Sequence, residues 1–159
     1  IDIVTQQSTT LTTGELCEAR PIWSPDGQKI AYLTQTTPEI DKLNWDLFIL
    51  DRTTGQSYQL TSTLGTMEYD LVWSPDGQQL AVTSWQQNAD VAIFAIDIET
   101  KEVIELLEET ADEAPLPPQW FPDNQHLLVQ TYSPNDGALQ FLDVLNVNTL
   151  ERTHLVQFP

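Results

Sequence analysis

The sequence predicts an all-β fold built from repeated four-stranded antiparallel sheets. Three observations predict it. The run Trp23-Ser24-Pro25-Asp26-Gly27-Gln28 returns as Trp73-Ser74-Pro75-Asp76-Gly77-Gln78 and, altered, as Trp120-Phe121-Pro122-Asp123-Asn124-Gln125, with the tryptophans 50 and then 47 residues apart. Short apolar runs rich in β-branched and aromatic residues follow each copy, bounded by turn residues, which is strand chemistry. A second turn also recurs: Asp or Asn, two residues, Thr, one residue, Gln or Glu. It begins at Asp51, Asp97 and Asn146, and once more at Asp2. Self-similarity at this period marks stacked supersecondary units.

The elements follow in order within each unit. The first strand carries the tryptophan. In the turn after it, Pro presets φ near −65°, Asp bonds nearby backbone N–H groups, and Gly27 or Gly77 takes a positive φ. Asn124 is the best substitute for glycine there. The second strand holds Ile30 to Leu33, Leu80 to Val82, or Leu127 to Val129. The third runs Asp46 to Asp51, Val91 to Asp97, or Leu139 to Asn146, with the weak alternation of a strand covered on both faces. The second turn leads to a fourth strand, with a leucine 9 residues after the Asp or Asn: Leu11, Leu60, Leu106 and Leu155.

The chain thus divides into residues 1–13, the tail of a preceding unit, and three full units at 14–62, 63–108 and 109–159. Four short antiparallel strands in about 50 residues describe a β-propeller blade, which buries its faces against its neighbours. About three and a half blades are expected, as part of a larger six- to eight-bladed ring. The opening Ile1-Asp2-Ile3 reads as strand, so a longer polypeptide is expected, with the remaining blades supplied by that same chain or by another chain. A residue that recurs in register serves architecture rather than one site. Trp23, Trp73 and Trp120 are therefore inter-blade wedges. Asp26, Asp76 and Asp123, with Gly27 and Gly77, hold the turns.

These residues, with strands ending in Asp and near Leu60-Thr61, resemble the WD-repeat-like blades of TolB and its relatives. The resemblance covers nearly the whole chain; the third copy departs at Phe121, Asn124 and Leu128. It implies a non-catalytic propeller that binds a protein or peptide in the bacterial envelope, periplasmic or extracellular. The N-terminal domain of TolB has no counterpart in this sequence. Similar blades form the propeller of prolyl-oligopeptidase-type serine peptidases and the extracellular sensor domains of membrane proteins, so these alternatives stay open.

Charge and motifs narrow the chemistry. With 24 acids against 6 Lys plus Arg, the net charge of −18 argues against nucleic acid and anionic membranes held by a basic patch, and suits a basic partner or simple solubility. No apolar run is long enough for a membrane helix, so no direct membrane insertion is expected. Cys17 is the one cysteine. Ser, His and Asp occur without a Gly-x-Ser-x-Gly elbow, and the acid run from Glu105 to Glu113 lacks calcium-loop spacing. No phosphate loop is present. No catalytic residue, metal or cofactor is expected. His126 and His154 read as structural.

Loop lengths locate a candidate face. Trp to Ala31, Ala81 or Leu128 is always 8 residues, but Trp to Asp/Asn is 28, 24 and 26, and Leu to the next Trp is 12, 13 and 14. All length variation therefore falls at one end of the blades, where loops on a rigid scaffold carry function. That end collects Glu15, Glu18, Glu39, Asp41, Glu68, Asp70, Asp90, Glu108, Glu109, Asp112, Glu113 and Asp136, opposed by Arg20 and Lys42. Met67, Tyr69, Trp85 and Tyr132 stand beside them. The candidate binding residues are Glu68, Tyr69, Asp70, Trp85, Glu108, Glu109, Asp112, Glu113 and Tyr132. A merely solvated acidic surface has the same composition. Arg20 and Asp70, each three residues before a tryptophan, are placed to pair across adjacent innermost strands.

Overall fold

A computed structural model describes residues 4–12, 17–36, 45–62, 67–85 and 90–158, the side chains of Met67 and Glu68 excepted. Ile1-Asp2-Ile3, Glu15, Glu39, Asp41 and Lys42 lie outside these residues. The described chain is all-β, in three antiparallel sheets, two of four strands and one of five, with neighbouring strands in sequence order. The first holds β1 (Glu18–Trp23), β2 (Lys29–Gln35), β3 (Trp45–Asp51) and β4 (Gln56–Gln59). The second holds β5 (Met67–Trp73), β6 (Gln79–Trp85), β7 (Val91–Asp97) and β8 (Val103–Glu108). The third holds β9 (Ala114–Pro115) and β10 (Gln119–Trp120), both on β11 (His126–Tyr132), then β12 (Leu139–Asn146) and β13 (Arg152–Gln157). This is a partial β-propeller of three stacked blades.

Both repeated turns form for the reasons their residues supply. The Ser24 hydroxyl donates to Asp26 at 2.6 Å, Gln28 N–H donates to the same carboxylate oxygen at 2.9 Å, and Gly27 takes φ +68°. The Ser24 bond, then the Gln28 bond, hold the Asp26 carboxyl below its usual range. The second copy repeats this with Ser74, Asp76 and Gly77 at φ +71°, and Asn124 takes φ +60° in the third. In the other turn Asp51 accepts from the N–H groups of Thr53 and Thr54, and the fifth residue is left-handed in every copy: Gly55 +70°, Lys101 +62°, Leu150 +60°.

The core lies between blades, which is why strand alternation is weak. Ala31, Leu33, Leu47, Ile49 and Leu60 of the first blade pack against Leu71, Trp73, Leu80, Val82, Ile96 and Ile98 of the second. On its other face the second blade sets Ala81, Ile93, Ala95 and Leu106 against Leu127, Val129, Leu145 and Val147. The tryptophans stitch the same seams. Trp73 Nε1–H donates to Ile22 O at 3.3 Å and Trp120 Nε1–H to Val72 O at 3.1 Å, each the carbonyl one residue before the preceding blade's tryptophan. Trp23 lacks a described blade on that side and is 55% exposed, with the Arg52 guanidinium 5.1 Å from its ring centre.

The variable interval from each leucine to the next tryptophan is not connection throughout, because the innermost strand of each blade extends back into it as β1, β5 or β9. The long second strand needs a partner along its upper half. The innermost strand supplies it after an irregularity: a register shift between Ala19 and Ile22, another between Glu68 and Asp70, and a break across Leu116, Pro117 and Pro118. Proline has no N–H for a ladder, so the third strand breaks where the others bulge.

Candidate functional site

The repeat serves as an internal alignment, and residues that break it stand out. At the variable end the break is concentrated on the first two blades. The residue three before each tryptophan is Arg20, Asp70 or Pro117. Arg20 Nη1 donates to Asp70 Oδ1 at 3.1 Å, the inter-blade pair expected from their equivalent positions. Arg20 holds a left-handed φ of +51°, unusual for a long side chain. One residue earlier, the β5 register shift sets Tyr69 apart, and its ring centre lies 5.5 Å from that of Trp85. Burial, then the negative charge of Asp70 and an interaction with Tyr132, push the Tyr69 phenol up to about 12. Trp85 ends β6, Tyr132 ends β11 at the same repeat position, and Trp85 is 47% exposed. Tyr69, Asp70, Trp85, Tyr132 and Arg20 therefore form one neighbourhood.

The acids nearby divide by use. Glu108 ends β8 with an exposed side chain, and Asp112 is exposed in the turn that follows. Glu109 turns back to accept from Val91 N–H at 2.9 Å, closing the end of the β7–β8 pair. Glu113 pairs with Arg152. Burial opposes the charge of Glu113, but the Arg152 hydrogen bond and charge outweigh it and hold the carboxyl below its usual range. Of Glu68, only the backbone in β5 is described.

A second break was not singled out in the sequence. Asp143, in mid-β12, stands where the other blades carry Phe48 and Phe94, on the face turned toward the second blade, and is fully buried. Arg152 Nε–H donates to it at 2.7 Å, Arg152 Nη2 also pairs with it, and His154 Nδ1 lies 2.6 Å away. Phe141 lies 4.6 Å from the His154 ring. The signal available was a carboxylate in a column of phenylalanines. His126 braces the opposite end instead, between Asp123 at 2.7 Å and Asn146 at 3.1 Å. Among the described residues no group of three or more His, Cys, Asp or Glu side chains could hold a metal ion. Asp26, Asp76 and Asp123 sit in their turns at the constant end.

An inter-blade assembly of this kind is found in known structures. The putative TolB from Agrobacterium tumefaciens aligns over 93% of this chain at 16% identity with a TM-score of 0.66. An oligogalacturonate lyase solved with manganese aligns over 99% at 18% identity with a TM-score of 0.71. The β-propeller domain of the Trilobed protease from Pyrococcus furiosus aligns over 88% at 19% identity with a TM-score of 0.63. These likenesses show a shared β-propeller fold. The chain spans 52%, 41% and 43% of those three chains, about half of each. Among curated proteins, none matches this chain. A family model does match, across residues 15–157, and that span takes in all three blades. The chain belongs to the family described as eukaryotic translation initiation factor eIF2A.

Proposed function

We propose that this chain is a non-catalytic propeller segment that binds a protein or peptide on the variable end of its blades, with basic partners favoured. The observation that carries the reading is the neighbourhood of Tyr69, Asp70, Trp85 and Arg20, where the repeat is broken and aromatic and charged groups share an accessible edge. Aromatic side chains with a polar rim are what interface centres use. The exposed Glu108 and Asp112 add attraction for a cationic partner, which the net charge of −18 strengthens at long range.

The setting has two supports that differ. The TolB-like fold supports the envelope or the outside of the cell, and the family description supports translation. With 24 acids against 6 Lys plus Arg, the overall charge opposes binding to RNA phosphates. The likeness to a protease propeller supports a second reading, in which this segment belongs to an enzyme whose chemistry lies elsewhere in the polypeptide.

The test is recovery of partners on immobilised chain from the native host, with Trp85→Ala, Glu108→Gln and Asp112→Asn compared with the unaltered chain. Glu109 and Glu113 are unsuitable for it, because both hold the fold. Loss of specific partners in the triple variant, with unchanged circular dichroism, is the expected result. Undiminished recovery overturns the reading. Fractionation of the tagged full-length protein separates the two settings, and assaying that protein for peptide hydrolysis separates binding from enzymatic membership.

A further inference from the structure

Between the first and second blades, at the constant end, lies a groove of about 400 Å³, within the size of small-ligand sites. Lys29 and Tyr58 of the first blade line one side, and Gln78, Asp97, Ile98 and Glu99 of the second line the other. Lys101 crosses the same seam: its ammonium donates to Gln59 O at 2.9 Å and lies 5.3 Å from the Tyr58 ring centre. The seam between the second and third blades is an internal control. There the positions of Lys29, Tyr58, Asp97 and Glu99 hold Gln79, Ile104, Asn146 and Asn148, so each of the three charges is replaced by a neutral amide.

The turns do not need those charges. Asn146 Oδ1 accepts from the N–H groups of Asn148 and Thr149, both at 3.0 Å, just as Asp97 Oδ1 accepts from Glu99 N–H at 3.0 Å and Thr100 N–H at 2.7 Å. Nor are the charges paired with one another. No described residue gives the half-buried Lys29 ammonium a hydrogen bond or an ion pair, although the chain has 24 acids against 6 Lys plus Arg. Asp26 and Asp51 feel its charge without touching it. Asp97 Oδ2 and the exposed Glu99 carboxylate likewise have no partner among the described residues. A plain anion in this groove meets Asp97 and Glu99, and a plain cation meets Lys29. A molecule that carries both charges satisfies all three. Tyr58 and Ile98 add apolar contact, and the Gln78 amide both donates and accepts.

We propose that this groove binds a small zwitterion, a free amino acid or a dipeptide, with its carboxylate on Lys29 and its ammonium on Asp97 and Glu99. The site lies at the opposite end of the blades from Trp85 and Tyr69 and is independent of partner binding there.

The test is amide chemical-shift mapping by NMR on the 159-residue chain at neutral pH. The probes are glycine, glycylglycine, N-acetylglycylglycine, glycylglycinamide and maltose. One or both zwitterions shift the amides of Gln78, Ile98 and Glu99 and saturate in roughly the millimolar range, and the tighter of the two gives the size of the ligand. The acetylated peptide lacks the ammonium and the peptide amide lacks the carboxylate, so each binds about tenfold more weakly than glycylglycine or worse. Lys29→Gln and Glu99→Asn install what the second seam carries, so the turns persist, and each weakens the zwitterion by about tenfold. Lys29→Gln leaves the weak binding of glycylglycinamide no weaker, because that probe has no carboxylate for Lys29 to hold. A groove that responds to neither zwitterion overturns the proposal. So does one that takes the blocked peptides or maltose as tightly as the zwitterions, or that keeps full zwitterion binding in Lys29→Gln. If a variant does not fold, the probe series on the unaltered chain decides by itself.

Discussion

Arg152→Met is the sharpest perturbation available, because it tests whether the buried charge in the seam between the second and third blades holds the fold. Asp143 is fully buried, with Arg152 as its charged partner and the His154 ring nitrogen 2.6 Å away. Methionine keeps much of the arginine's apolar stem and removes the guanidinium, leaving a buried carboxylate with one ring partner. Breaking a buried pair from one side costs about 3–5 kcal/mol. The Arg152 and Glu113 side chains are each 22% exposed, so water relieves part of the loss and the low end, about 3 kcal/mol, is expected. That is a large share of a typical stability of about 5–15 kcal/mol. At about 2–4 °C per kcal/mol for a chain of this size, Tm falls by about 6–12 °C.

The repeat supplies the control. Asp143→Phe with Arg152→Val installs what the second blade carries in Phe94 and Val103. Replacing a buried ion pair with packed apolar groups is often neutral, so the double variant is expected within about 1 kcal/mol of the parent. Urea unfolding at neutral pH, followed by circular dichroism, measures both. A single variant costing less than about 1 kcal/mol, or a double variant less stable than the single, refutes the reasoning. Acid gives a further check. Glu113 has a folded-state carboxyl held below 4.5, so its contribution is present above that value and is lost as pH falls through the folded value. The Glu113 part of the gap between parent and Arg152→Met therefore closes as pH drops below 4.5.

Three other outcomes follow from the seams and turns. Trp73→Phe leaves Ile22 O without its indole donor and lowers stability by about 1–2 kcal/mol, whereas Trp23→Phe in the 159-residue chain stays within about 0.5 kcal/mol; equal effects in urea melts count against the tryptophan ladder. Gly77→Ala places a methyl at ordinary contact distance from Pro25, 3.6 Å, so its cost is the left-handed backbone alone, about 1–2 kcal/mol; a neutral thermal melt contradicts this. Burial and Asp70 push the Tyr69 phenol up to about 12, so an absorbance titration is expected to show a late step that Tyr69→Phe removes. The protonated phenol's contribution is present below pH 10 and is lost as pH rises toward 12.

Much of the fold was legible because the repeat aligns the chain with itself. The turns were readable from Asp26, Gly27 and Asn124, whose side chains and backbone freedom act locally. The Arg20–Asp70 pair was readable too, because both lie three residues before a tryptophan. What escaped depended on tertiary position. Glu109 and Glu113 read as solvent-facing acids, yet one closes a strand end and the other meets Arg152 from 39 residues away. Asp143 sits in an apolar strand whose period does not say which face is covered. Only its column, Phe48, Phe94 and then Asp143, carried the signal.

The two places where the repeat breaks do not make equal claims to function. At Asp143 the charges are satisfied from within. Asp143 is closed to solvent, and Arg152 is shared between Asp143 and Glu113, so little is left over for a ligand. Such a network specifies how two blades meet. At the variable end the balance is reversed. Arg20 is paired but 54% exposed, Trp85 presents 47% of its surface, and Arg20 holds a backbone angle that costs free energy without adding buried contacts. Strain at an exposed residue with hydrogen-bonding capacity supports the proposed binding role. If Arg20→Gly kept the blades' stability but weakened partner recovery, the strain would be assigned to binding. If it changed stability alone, the variable end would be as structural as the seam around Asp143.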